Sequence, residues 1–266
     1  MAKAAPERGL EVARAIRRPR ERAVALVVAA RVDCDAAVLA AKAGLSGDSL
    51  ERALARIAAV AARDHPERSR ELARGLSGAT WRAEALTVLA SLEDDRVLSA
   101  EAIGAAEAVS DPGGRCLRLA EAAAAAHRSC PDLAGTAEAS ALALARECPA
   151  HEGAAFLRSI GSSMACVDLT RSRARFAEAD AADGSVAGRR DSAMRRARAC
   201  LAYGEFAIQM EALSGLADHD GAILELLPEV VRSVRRRNPD DADLLRGLHA
   251  AWSGATELTG AALGAL

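Results

Sequence analysis

Apolar residues recur at spacings of three and four positions along nearly the whole chain, which is the pattern of amphipathic helices. Ala, Leu, Arg and Glu, all strong helix formers, supply most positions between the turn signals. Residues that favour strands are scarce. The pattern predicts an all-α protein of about fourteen helices, each roughly ten to eighteen residues long.

Prolines mark many of the predicted helix starts, because the first turn of a helix does not need the N–H that proline lacks. The prolines that precede a helical pattern are Pro19, Pro66, Pro112, Pro131, Pro149 and Pro239. Asp111 and Asn238 are candidate N-caps. Asp48, followed by Glu51, predicts a capping box at the start of a further helix.

One short pattern recurs: an apolar residue, a turn, and then Arg-x-x-x-Leu at a helix start. It occupies residues 76–86 and returns 33 residues later at 109–119, and another copy at 16–26 lies 60 residues before the first. Arg196 to Cys200 is a weaker copy. A period of about 33 residues is one helical hairpin, and such units bury their apolar faces by stacking on neighbours. We therefore predict an α-solenoid of stacked antiparallel helical hairpins.

On this period and helix-turn-helix layout, residues 10–215 resemble tetratricopeptide-like helical repeat proteins and, less closely, HEAT-like ones. The resemblance is one of period and layout, and the consensus residues are largely absent. The pattern predicts one helical-repeat domain over residues 1–266, with a soft division near residues 183–188, where glycines interrupt it. The apolar seam should consist of Leu26, Leu54, Ile57, Leu86, Leu89, Ile103, Leu119, Leu142 and Leu157.

Composition narrows the classes of function. The 266 residues include 67 alanines but only two Trp, one Tyr and three Phe, which argues against sites built on aromatic stacking. A net charge of −2 gives no global field for nucleic acid or an anionic membrane. Six cysteines without a CxxC pair indicate buried thiols in a reducing compartment. With no apolar run of membrane-spanning length, we expect a cytoplasmic protein with no membrane partner.

Two patterns carry possible metal ligands. His127 with Cys130, and Cys148 with His151, could together offer zinc two imidazoles and two thiolates. The predicted helix between the two pairs separates them by about 25 Å, so we predict no metal site. The acidic runs at 93–95 and 240–243 depart from the DDxxD spacing of magnesium-binding helices, and we interpret them as helix-start capping.

The sequence contains no motif that predicts a catalytic or cofactor-binding site. The five histidines have no framing motif that would pair them with a nucleophile and an orienting acid. No glycine-rich phosphate loop follows a strand. We therefore predict no catalytic residue and no cofactor.

Arginines cluster in the C-terminal half of the chain. Between residues 171 and 198 there are eight arginines and four acidic residues, a local charge of +4. Such a patch attracts anions, including acidic peptides. The candidate partner-binding residues are Arg171, Arg175, Arg195 and Arg196.

The preferred hypothesis is a non-enzymatic helical-repeat scaffold that binds another protein through a groove or an end face of the stack. One alternative is a small all-helical enzyme or ligand-binding protein with its site between hairpins. Another is nucleic-acid or acidic-partner binding through the Arg-rich half. An exposed Ala-rich end repeat could also form a homo-oligomer.

Overall fold

The computed structural model describes residues 4–203 and seven positions beyond them, which are 213, 216, 222, 225, 226, 229 and 230. Regular structure in these residues is entirely α-helical, as the apolar spacing predicts, and the described part of the chain contains twelve helices. The helices are α1 (Ala4–Ala15), α2 (Pro19–Ala29), α3 (Cys34–Gly44), α4 (Gly47–Ala61), α5 (Pro66–Arg74), α6 (Ala79–Glu93), α7 (Arg96–Glu107), α8 (Pro112–Ala126), α9 (Pro131–Glu147), α10 (Ala150–Met164), α11 (Leu169–Ala182) and α12 (Val186–Tyr203).

The helix starts predicted from prolines and from Asp111 are confirmed in the described residues. Helices α2, α5, α8 and α9 each begin at a proline, and Pro149 is the N-cap of α10. Asp111 caps α8, since its Oδ2 accepts a hydrogen bond from Gly114 N at 2.6 Å. Asn238, Pro239 and the acidic run at 240–243 lie outside the described residues.

The fold divides into two compact units, residues 1–144 and residues 145–266. The boundary falls near the C-terminal end of α9. Residues 183–188, where the soft division is predicted, lie inside the second unit and connect α11 to α12.

In the first unit the even-numbered helices form a continuous series. Helix α2 packs against α4, α4 against α6, and α6 against α8. The odd-numbered helices pack beside this series, with α5 against α4 and α6, and α7 against α6 and α8. Each helix thus contacts the next helix in the chain or the next but one.

Alanine dominates the interior. More than half of the buried apolar residues in the described part of the chain are alanines. The nine residues predicted to form the apolar seam are all buried. Because alanine projects only a methyl group, neighbouring helices must approach closely to exclude water.

The repeated arginine has a specific partner in the backbone. Arginine is the fourth residue of four even-numbered helices: Arg22, Arg82, Arg115 and Arg189. In α2 and α8 its Nε donates to the carbonyl six positions earlier, at 2.7 and 2.8 Å. These two carbonyls belong to Ile16 and Val109, the apolar residues that open the repeated pattern. The repeated arginine therefore joins the start of its helix to the preceding turn.

The copy of this feature in α12 is not at the predicted position. Arg189 is the fourth residue of α12, and its Nη1 donates to the carbonyl of Gly184 in the preceding turn at 2.6 Å. Arg196, which the sequence pattern selects, lies two turns further along the helix. The arginines that bond the preceding turn lie at the same distance from the start of their helices. The Arg-x-x-x-Leu spacing alone does not show where a helix starts.

Many side-chain pairs between helices join residues about one repeat apart. Trp81 donates to Asp48 and Arg68 to Asp35 across 33 positions, Arg146 donates to Glu178 across 32, and Arg158 donates to Ser192 across 34. Polar contacts between helices thus recur with nearly the spacing of the sequence repeat.

In the second unit, α10 packs against α11 and α12. Arg158 of α10 is only 4% exposed, and its Nε donates to the buried Ser192 Oγ at 2.8 Å. Its Nη2 lies 3.1 Å from Asp183 Oδ2. Hydrogen bonds from Ser185 and Arg158 lower the pKa of the Asp183 carboxyl. A Cβ on Gly188 would overlap the Asp183 carboxylate and lie 2.6 Å from Arg158 Nη2, so a larger residue here would displace this ion pair.

Gly153 marks another close helix approach, and its substitution is a test of the packing. A Cβ built on Gly153 would lie 2.5 Å from the carbonyl oxygen of Ala145, a backbone atom that cannot rotate away. We expect Gly153→Ala to lower the free energy of unfolding by about 1–3 kcal/mol in urea denaturation. Gly104→Ala, at an exposed helical site with open space, should raise it by about 0.5–1 kcal/mol. Equal effects of the two substitutions would contradict the close approach.

The arginine-to-carbonyl bonds can be tested by removing the guanidinium. In Arg115→Met the aliphatic stem remains but the Val109 carbonyl loses its donor, so we expect a loss of about 1–2 kcal/mol of unfolding free energy. Arg22→Met should cost more, because Arg22 Nη1 also donates to Gly44 O at 2.8 Å. Urea denaturation with Arg128→Met as an exposed control measures both. Losses no larger than that of the control would show that these bonds do not stabilise the fold.

Candidate functional site

A groove of about 370 Å³ lies between α2 and α4 in the first unit. Its apolar floor and wall come from Ala23, Val24, Val27, Val28 and Ala53. Its polar rim consists of Arg20, Asp48, Ser49, Arg52 and Arg56, and Pro19 closes the lining.

The apolar wall of the groove is unusually open to water. Val24 and Val28 are 57% and 65% exposed, and they lie one turn apart on the same face of α2. The buried contact of α2 is made elsewhere on the helix, by the fully buried Leu26. Helix α2 therefore carries a second apolar face that no described residue covers.

Arg22 sets the position of α2 beside this groove. Its guanidinium donates to the carbonyl of Ile16 before α2 and to the carbonyl of Gly44 at the end of α3. A Cβ on Gly44 would lie 2.6 Å from Arg22 Nη1, so glycine makes room for the contact. The turns on both sides of the groove helices are thus joined through one side chain.

Helix α4 also contacts the turn that leads into α6, and the start of α6. Glu51 accepts hydrogen bonds from Ser77 N and Gly78 N, both at 3.1 Å, and from Ser77 Oγ at 2.9 Å. Asp48 Oδ1 accepts from Trp81 Nε1 at 2.6 Å. The guanidinium carbon of Arg52 lies 5.3 Å from the Trp81 ring centroid, which is a cation–π distance.

These contacts correct the predicted capping box. The N-cap of α4 is Ser46, and its side chain makes no capping hydrogen bond. Asp48 and Glu51 instead lie inside α4 and bond to residues 26 to 33 positions further along the chain. The two carboxylates spaced three positions apart thus contact the turn before α6 and the first turn of α6 rather than capping their own helix.

The rim of the groove is positively charged. Arg20, Arg52 and Arg56 are exposed, and none of them forms an ion pair with a described residue. Asp48 is the single carboxylate of the lining, and its Oδ1 already accepts the Trp81 hydrogen bond. The groove therefore combines an apolar floor with an excess of cations at its edge.

A second concavity, of about 410 Å³, lies against α3 and α5. It is lined by Asp35, Val38, Leu39, Lys42 and Arg68. Arg68 donates to Asp35 at 2.8 Å and to Glu71 at 3.0 Å, so its charge is matched within the protein. This concavity lacks the unmatched rim of the α2–α4 groove.

The candidate arginines of the sequence lie on α11 and α12, in the second unit. Arg175 Nη1 donates to Glu178 at 2.8 Å. Arg195 Nε bonds both carboxylate oxygens of Asp191, at 3.0 and 3.1 Å. Arg196 Nη2 lies 3.4 Å from Asp180 and the guanidinium faces the Phe176 ring.

Arg171, the fourth candidate, is half-buried, and its backbone N–H donates to the α11 N-cap Asp168 at 3.0 Å. Arg175, Arg195 and Arg196 contact a carboxylate of their own unit, which lowers the positive potential that the local sum of charges predicts. Binding of a partner by this cluster stays a prediction.

The candidate zinc ligands have other contacts. Cys130 Sγ lies 3.7 Å from Arg96 O, and His151 is exposed beside Glu152. In the part of the chain that the structure describes, no group of three His, Cys, Asp or Glu side chains lies close enough to hold a metal ion. Among the acidic residues at 93–95, Asp95 caps α7, as predicted, by accepting from Val97 N and Leu98 N.

The prediction that the cysteine thiols are buried is confirmed in part. Four of the six are buried: Cys34, Cys116, Cys130 and Cys200. Cys148 is intermediate and Cys166 is exposed, so the prediction of buried thiols is wrong for Cys166. Burial raises the pKa of the Cys34 thiol, which keeps it in the less reactive protonated form.

In comparisons with known proteins, no family model, curated protein or solved structure matches the chain. None of the described helices is both long enough and apolar enough to cross a bilayer.

The Arg-rich second unit gives a prediction on pH. Partial burial raises the pKa of Glu178, but hydrogen bonds from Arg146 and Arg175 outweigh this effect, and the pKa lies below its ordinary value. The stabilisation is therefore present above the unfolded pKa and is lost as the pH falls through the folded pKa.

We expect Glu178→Gln to cost roughly 1 kcal/mol of unfolding free energy at pH 7 and progressively less between about pH 5 and pH 3. Urea denaturation across this range measures the difference. The exposed Glu147→Gln is the matched control and should show no such trend. A cost for Glu178→Gln that does not depend on pH would argue against the ion pairs as its source.

Proposed function

We propose that the protein is a non-enzymatic α-solenoid scaffold, similar in layout to tetratricopeptide-like repeats, that binds another protein at the α2–α4 groove. The observation that carries the proposal is the exposed apolar wall formed by Val24 and Val28. Exposed aliphatic side chains beside a groove, framed by polar residues, are typical of protein interaction sites.

Three features support the repeat architecture in this proposal. Helices pack with the next helix or the next but one, and many polar pairs between helices span 32 to 34 positions. Arginine recurs as the fourth residue of even-numbered helices. These are the properties expected when each repeat contacts chiefly its neighbours.

The distribution of ion pairs favours the groove, rather than the arginine cluster of the second unit, as the binding site. The groove arginines have no carboxylate partner among the described residues, whereas Arg175, Arg195 and Arg196 do. A partner at the groove would gain new ion pairs, but a partner at the cluster would first have to displace existing ones.

Site-specific photocrosslinking in the native cells tests the proposal. A benzophenone amino acid placed at position 28 should form a covalent adduct with one partner protein, because Val28 faces the groove and is exposed. The matched control is position 97, where Val97 of α7 is 61% exposed outside the groove. A single adduct mass at position 28 and none at position 97 supports the proposal. No adduct at position 28, or the same adducts at both positions, overturns it.

A further inference from the structure

The α2–α4 groove carries enough chemistry to define the kind of segment that fills it. Recurring modes of peptide recognition include addition of a strand to a sheet edge, capture of a proline-rich segment between aromatic rings, burial of the apolar face of a helix, and pairing of acidic motifs with clustered arginines. The first needs a strand, and the described residues contain none. The second needs aromatic walls, and no residue that lines the groove is aromatic. The groove geometry therefore favours a helix.

The form of the groove fits this occupant. Its two walls are helices, and their facing residues recur with helical spacing: Val24 and Val28 on α2, and Arg52 and Arg56 on α4. A third helix that lies between them can bury one apolar stripe against Val24, Val27 and Val28. Its charged flanks would then lie beside the arginines of the rim.

The positive charge of the rim favours acidic residues on the flanks of the incoming helix. Arg20, Arg52 and Arg56 oppose a single carboxylate in the lining, that of Asp48. Arg52 is already positioned, because its guanidinium lies over the Trp81 ring. Carboxylates on the incoming helix would pair with these cations, whereas lysines would be repelled.

The same charges argue against two other occupants. In a symmetric dimer through this face, each copy would bring its three arginines towards those of its partner. A lipid bilayer presents a flat surface, but the apolar residues here line a concave groove between two helices.

We propose that the α2–α4 groove binds an amphipathic helix of a partner protein, with an aliphatic stripe on one face and acidic residues on both flanks. This inference rests on the proposed scaffold function and specifies the chemistry of the partner. The valines bury the stripe, and Arg20, Arg52 and Arg56 pair with the acidic flanks.

A panel of fluorescently labelled helical peptides tests the inference with the full-length protein. The first peptide has leucines at i, i+4 and i+7 flanked by glutamates, the second replaces the glutamates with lysines, and the third scrambles the first. We expect the acidic helix to bind at least tenfold more tightly than either control by fluorescence anisotropy, with an affinity that falls as salt rises. Equal affinity for the acidic and basic helices, or for the scrambled peptide, would overturn the inference.

Matched variants assign the binding to the groove. R20E/R56E should weaken binding of the acidic helix about tenfold or more, because it removes two attractions and adds two repulsions. Neither side chain makes an ion pair with a described residue, and both are exposed. R63E/R128E changes the net charge equally at exposed sites outside the groove lining, and it should change the affinity less than twofold. Equal losses in the two variants would place the binding elsewhere.

The outcomes separate this inference from the scaffold function. A partner adduct at position 28 together with no preference for acidic peptides rejects the acidic helix but retains protein binding at the groove. Absence of both rejects both proposals. Binding to vesicles of anionic lipid without binding to any peptide would identify a membrane surface as the occupant and overturn the inference.

Discussion

Alanine sets the distance between helices in this protein, and the other contacts follow from it. With most buried apolar positions occupied by a methyl group, helices exclude water only if their backbones approach closely. Gly153 and Gly161 allow this on α10, where even an added Cβ would press on neighbouring atoms. Such close contacts tolerate little sliding, so polar side chains at the helix ends can hold each turn in place. Arg22, Arg115 and Arg189, each the fourth residue of its helix, do this by bonding backbone carbonyls of the preceding turn.

Much of the fold follows from sequence because the determinants are local. Prolines at helix starts, Asp111 as an N-cap and the burial of the nine apolar residues are read from spacing and side-chain chemistry alone, and the structure has them as predicted. The capping box at Asp48 and Glu51 failed for the opposite reason. Their carboxylates bond residues 26 and 33 positions further along the chain, and a spacing of three along one helix cannot distinguish a local partner from a distant one.

The sequence does not predict that the groove lies between α2 and α4, although the chain contains a signal for this position. The aliphatic run from Ala23 to Ala30 is too short to cross a membrane, yet a surface helix normally has a polar face opposite its core face. A helix that is apolar on two faces must pack against other residues on both faces to exclude water. The described residues cover only one apolar face of α2. The arginine cluster is evident from the composition of residues 171–198. Its ion pairs with Glu178, Asp180 and Asp191 depend on side-chain geometry, which a sum of charges does not describe.

The spacing of the polar pairs also bears on how the chain acquires its structure during synthesis. Trp81 meets Asp48, and Arg158 meets Ser192, after only 33 or 34 further residues have been made. In both pairs the later helix can therefore bond the earlier one as soon as it leaves the ribosome, without waiting for distant segments. Contacts between residues close in sequence also form rapidly, because closing a short loop loses little conformational entropy. The N-terminal helices, with Val24 and Val28 exposed on α2, would be ordered while the rest of the chain is still being translated.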